Sequence, residues 1–269
     1  MASPDPLYKI VIRRIAEDAS CHQTLYRSCS PDPQPGLTVE IQFDVCLELY
    51  KRVITLGCQN ALNKLAKSLS TLHIFLDFLQ LGHKRIDLHK MFELINGKII
   101  ASRTVPQDSD LGLHLTNNGP KQLSDKLSDA FIDNLLSSNT TNVTIGLNLA
   151  SFLMDSGWYV EATKVLFALE DCFKESLSPV TLSDINSKLL HALSEYRQFD
   201  MAEQVMKKLS AFTGIQTVNS ASELCEISNY FYWRSLFPDA HKYGMRAIKS
   251  VSAVTKSRVA IDVLRQAGK

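Results

Sequence analysis

Apolar residues recur every three or four positions along most of this chain, the spacing of helices that bury one face. Ile41, Val45, Leu49, Val53 and Leu56 form one such stripe, and Leu62, Leu65, Leu69, Leu72, Leu76 and Leu79 form a second. The two stripes predict two helices that meet near Gly57. The second runs under three heptads without patterned flanking charges, so it predicts a helix packed inside a module rather than a coiled coil. Proline is absent from 36 to 105, from 121 to 178 and from 180 to 237, so nothing in those stretches interrupts a helix. The expected fold class is all-α. Pro31, Pro33 and Pro35 predict a loop over 20–36, preceded by a short helix within 1–19. A helical module is expected over 37–101. Pro106, Gly112, Asn117, Asn118 and Gly119 predict a linker over 102–120.

From 121 to the end the chain is expected to repeat. Three segments, 149–162, 189–202 and 227–240, share a pattern that ends on Ala162, Ala202 and Ala240. Three residues before each alanine stands an aromatic, Tyr159, Phe199 or Phe237, and nine before it a large apolar residue, Leu153, Leu193 or Phe231. Leu149, Leu189 and Ile227 supply a further apolar position on the preceding turn. Three in-phase copies favour repetition over a generic helical bundle. The pattern resembles the tetratricopeptide repeat, a helical pair in which a small residue admits close helix contact and a turn aromatic packs on the neighbouring repeat. The spacings of 40 and 38 residues imply longer helices or loops than that repeat usually has, and its turn glycine is present only as Gly157. Residues 256–269, with Val259, Ile261, Val263 and Leu264, predict the first helix of an incomplete last repeat.

Charge and chemistry narrow the function classes. Lys plus Arg number 29 against 28 for Asp plus Glu, so there is no electrostatic case for nucleic acid. The first residues, with Pro4, Asp5 and Pro6, lack the pattern of a secretory signal, so a cytosolic setting is expected. The longest uncharged stretch, 134–154, is too polar to cross a bilayer. Six cysteines without a C-x-x-C pair read as reduced thiols. Neither a Gly-rich phosphate loop nor a Gly-x-Ser-x-Gly elbow occurs. Cys21, His22 and Cys29, or His83 and His89, come nearest to metal clusters, and neither set has ligand spacing. No metal or cofactor is expected, and the chain is read as an adaptor rather than an enzyme.

Near the N-terminus, Pro6-Leu7, Val11 and Ile15 lie on one helical face. This segment resembles the elongin-binding box of ubiquitin-ligase receptors, with Val11 at its cysteine position. Anchors at this spacing suit helix-in-groove recognition. The stretches 37–50, 157–166 and 261–267 are similar to the amyloid protein-binding protein 2 family, collinearly across nearly the whole chain. The resemblance implies an elongin box and a cullin-2 box ahead of repeats related to those of kinesin light chain, in a receptor that reads C-terminal degrons. It carries the cullin box onto Leu37, Ile41 and Val45, with Thr38 where the family pattern has proline. Elongin B and C, cullin-2 and C-terminal peptides of substrates are the partners implied. The alternative implied is a trafficking adaptor that ties the cytosolic tail of the amyloid precursor protein to microtubules. Either role implies a cytoplasmic protein, with cytoskeletal and nuclear association.

Overall fold

The computed structural model describes residues 6–17, 37–104, 122–137, 142–212 and 220–250. Among them are twelve α-helices and no strand. They are α1 (Pro6–Glu17), α2 (Val39–Leu56), α3 (Gln59–Leu69), α4 (Leu72–Gln80), α5 (Arg85–Thr104), α6 (Leu123–Ser137), α7 (Val143–Asp155), α8 (Tyr159–Phe173), α9 (Pro179–Glu195), α10 (Phe199–Phe212), α11 (Ser220–Trp233) and α12 (Phe237–Ser250). The all-α expectation is met. The expected loop over 20–36, most of the 102–120 linker and the incomplete repeat at 256–269 lie outside the described residues. The chain divides into two compact units, 1–130 and 131–269. That division falls inside α6, whereas the repeats were expected to begin at 121.

In the first unit α2 ends as the sequence predicts. Gly57 takes a left-handed conformation (φ 59°) and its N–H bonds the Val53 carbonyl at 3.1 Å, which closes the last turn. The second leucine stripe departs from expectation, because it is two helices rather than one. Ser70 and Thr71 turn their hydroxyls onto the Lys67 carbonyl, each at 3.0 Å, and Thr71 adopts an extended conformation (φ −88°, ψ 108°). Side-chain hydroxyls here take up the carbonyl that a continuing helix would bond. The break lets α4 turn Phe75 and Phe78 inward, both fully buried. Phe78 meets Phe43 of α2 edge-on, with centroids 5.1 Å apart, and Phe75 lies 5.9 Å from Phe92 of α5.

The second unit is a series of helical pairs: α7 with α8, α9 with α10, and α11 with α12. Each first helix ends in the same turn. The N–H groups of Trp158, Gln198 and Leu236 donate to the carbonyls of Leu153, Leu193 and Phe231 at 2.8, 2.9 and 2.9 Å. The residue before each donor, Gly157, Arg197 or Ser235, has positive φ (79°, 64° and 60°). This is the six-to-one closure of a Schellman motif. It places Tyr159, Phe199 and Phe237 at the first position of α8, α10 and α12. Ala162 and Ala202 are fully buried and Ala240 nearly so.

Candidate docking surfaces

Two surfaces, one in each unit, carry the residues singled out in the sequence. In the first unit α1 is seated on α2 by Ile12 and Ala16, both buried. Polar ties flank that seat. Tyr8 Oη donates to Asp44 Oδ2 at 2.7 Å, and Lys84 Nζ bonds the other oxygen of Asp44. Burial and the Asp44 carboxylate push the Tyr8 hydroxyl up to about 12. Further along, Arg52 donates to Glu17 at 2.7 Å and approaches Glu48 at 3.5 Å, and Arg13 reaches Glu48 at 3.7 Å. The hydrogen bond from Arg52 is the main reason that the Glu17 carboxyl is held below its usual range. Lys64 Nζ donates to the carbonyls of Ala16 and Glu17 at 3.3 Å, where a cation complements the end of the helix dipole. A groove of about 320 Å³ runs along this seam, floored by Ile12 and Leu47. Of its charged walls, Arg13 reaches Glu48 and Asp44 is held by Tyr8 and Lys84, contacts that fasten α1 to the module.

This fastening decides which side of α1 faces out. Leu7 (66% exposed) and Val11 (46%) stand in solvent, and Ile15 is half-buried. Two of the three elongin-box positions are therefore presented for contact instead of being consumed by the module's own core. Ile10, not singled out in the sequence, is exposed as well (55%). It was overlooked because a four-residue spacing alone selects 7, 11 and 15.

The cullin-box positions separate. Leu37 and Ile41 are half-buried at the start of α2, where Gln42 Nε2 donates to the Leu37 carbonyl at 2.9 Å and Thr38 Oγ1 accepts from the Ile41 N–H at 3.5 Å. Val45 is fully buried. Its side chain holds α2 in the module and is closed to a partner, which corrects its place in a docking surface.

In the second unit the first helices of consecutive repeats are linked by polar contacts. His191 Nδ1 of α9 lies 3.0 Å from Glu226 Oε2 of α11, and Trp233 Nε1 donates to Glu195 at 3.3 Å. Ser183 donates to Glu223, which is buried. Between second helices, Lys208 pairs with Glu170 at 2.7 Å. Burial disfavours a charged His191, but Glu226 and Glu195 outweigh both that and Lys188, so its imidazole titrates above the ordinary histidine value. The Tyr159 ring lies 6.1 Å from the His191 ring of α9. Phe199 is half-buried. Phe237 differs: it is 57% exposed, and its described ring contact is with Tyr232 of its own repeat, 5.9 Å away.

Among the described residues no group of three or more His, Cys, Asp or Glu could hold a metal ion, and no helix is long and apolar enough to cross a membrane. No family model matches the chain. The chain spans 42% of the length of the curated relatives it matches. Over 278 aligned positions, 99% of its own length, it is 27% identical to amyloid protein-binding protein 2 of Mus musculus and equally to that of Rattus norvegicus, which bears out the family resemblance read from the sequence.

Proposed function

We propose that this chain is a non-catalytic cytoplasmic adaptor whose helical repeats bind the cytosolic tail of an amyloid precursor protein and tie it to microtubules. The observation that carries this reading is similarity along the whole chain to proteins named for binding an amyloid protein. The repeat unit supports it, since stacked helical pairs build extended surfaces for peptides. The deciding measurement is a fluorescence-polarisation titration with a labelled tail peptide and a scrambled control. Saturable binding of the tail peptide alone is expected, and equal binding of both peptides would overturn the reading. Co-sedimentation with microtubules, with and without the tail peptide, tests the second link.

A second reading is a substrate receptor of an elongin and cullin-2 ubiquitin ligase, with C-terminal peptides as its ligands. The outward placement of Leu7 and Val11 favours it, because a helix presenting an aliphatic stripe suits a partner's groove. Leu7→Asp is expected to abolish co-purification with elongin B and C while leaving helicity unchanged. Wild-type recovery by the variant would remove this reading.

A further inference from the structure

We propose that the outer edge of α12 is a docking site for an acidic amphipathic helix of a partner protein. The helical pairs follow one register, in which Ala162, Ala202 and Ala240 correspond. Two positions of each second helix flank that alanine: Tyr159 and Thr163 in α8, Phe199 and Glu203 in α10, Phe237 and His241 in α12. The first four are buried or half-buried, and residues of the following pair lie against two of them. The Tyr159 ring stands beside His191 of α9, and Glu203 meets Arg234, next after α11, at 3.4 Å. In α12 the same two positions are exposed. Met245 continues their line by one turn, and Phe237 and Met245 are 57% and 41% exposed. A large aromatic and a methionine on one solvent-facing stripe mark an uncovered joint.

Charge selects what covers it. At about 100° per residue, Phe237, His241 and Met245 fall within an arc of about 80°, beside the buried face made by Ala240, Gly244 and Ala247. Lys242, Arg246 and Lys249 form the next stripe outward, and all three are exposed. Asp239 is the only acidic residue of α12. A helix laid along this edge therefore meets apolar side chains first and three cations at its outer flank, so its complement is an aliphatic stripe bordered by Asp or Glu. Two other occupants carry the wrong charge. A second copy of the edge would set the same cations against one another, and residues 251–269 hold Lys256, Arg258, Arg265 and Lys269 against Asp262 alone. The site presupposes neither tail binding nor elongin binding.

The test is a fluorescence-anisotropy titration of the whole chain with a labelled helical peptide that carries leucine every three or four residues and glutamate on both flanks, beside a version with every glutamate replaced by lysine. The acidic peptide should saturate, and the basic one should bind at least about tenfold more weakly. Met245→Asp should weaken the acidic peptide by about tenfold or more, as loss of an apolar anchor does. Lys242→Glu combined with Arg246→Glu should weaken it most at low salt and flatten the salt dependence. Met201→Asp, at an exposed position of α10, should change nothing, and circular dichroism should be the same for all variants. No binding, equal binding of both peptides, or binding indifferent to Met245→Asp and to the double variant overturns the proposal. So does binding that emerges only with Val263→Asp and Leu264→Asp, which would make the chain's own end the occupant, or a dimer in sedimentation velocity that Met245→Asp dissolves.

Discussion

At the residue scale, the turns inside the helical pairs impose one backbone conformation on three different side chains. Gly157, Arg197 and Ser235 all sit in the left-handed region. A residue with a Cβ pays about 1–2 kcal/mol there, partly offset because glycine costs more entropy on folding. Arg197 and Ser235 are exposed, so glycine would remove no buried packing. Arg197→Gly and Ser235→Gly should each raise the unfolding free energy by about 0.5–1 kcal/mol in urea titrations, and Gly157→Ala should lower it by a similar amount. A search for the repeat's glycine finds one copy of three, because residue type is only a proxy for the φ that the turn requires. The cysteines give a second test at this scale. Burial raises the Cys46 thiol to about 12, whereas Cys172 is exposed. A thiol reagent at neutral pH should label Cys172 in the native protein and Cys46 only after unfolding.

At the element scale, helix pairing was legible where one residue's size decides the contact. Ala162, Ala202 and Ala240 lie buried four residues into α8, α10 and α12. Leucine at any of them should overpack the pair and cost about 1–3 kcal/mol, measured by chemical denaturation. Three unaffected variants would remove the register. The break between α3 and α4 was not legible, since Leu69 and Leu72 continue the same stripe and two hydroxyls decide where the helix stops. Thr38 was read from its place in a pattern, and its local geometry now defines what a substitution would do. Its φ of −62° already suits proline, and its cap bond to Ile41 is long at 3.5 Å. Thr38→Pro should therefore leave thermal stability nearly unchanged, the lost cap offset by a stiffer unfolded chain to within about 0.5 kcal/mol. A larger loss would show that the threonine cap holds the start of α2.

At the scale of the whole molecule, stacked repeats are held by contacts between neighbours, so one joint can tune how the array behaves. The joint from α9 to α11 includes His191 and Glu226, 35 positions apart in sequence. No periodicity of three or four residues could have paired them, which is why the helices were legible and this link was not. Glu226 and Glu195 raise the folded-state value of His191 above 6.5, against the effects of burial and Lys188. A group raised on folding stabilises the native state fully below its unfolded value, and that contribution fades as pH climbs through the folded value. The wild type should therefore gain stability over Glu226→Gln at pH 6, and the gap in melting temperature should close progressively as pH rises above 6.5. His191→Gln should show the same loss at low pH and no further loss when combined with Glu226→Gln, because the two act as one pair. A melting-temperature gap that is constant from pH 6 to pH 9 would mean that the imidazole is neutral throughout and that packing, not charge, joins these two repeats.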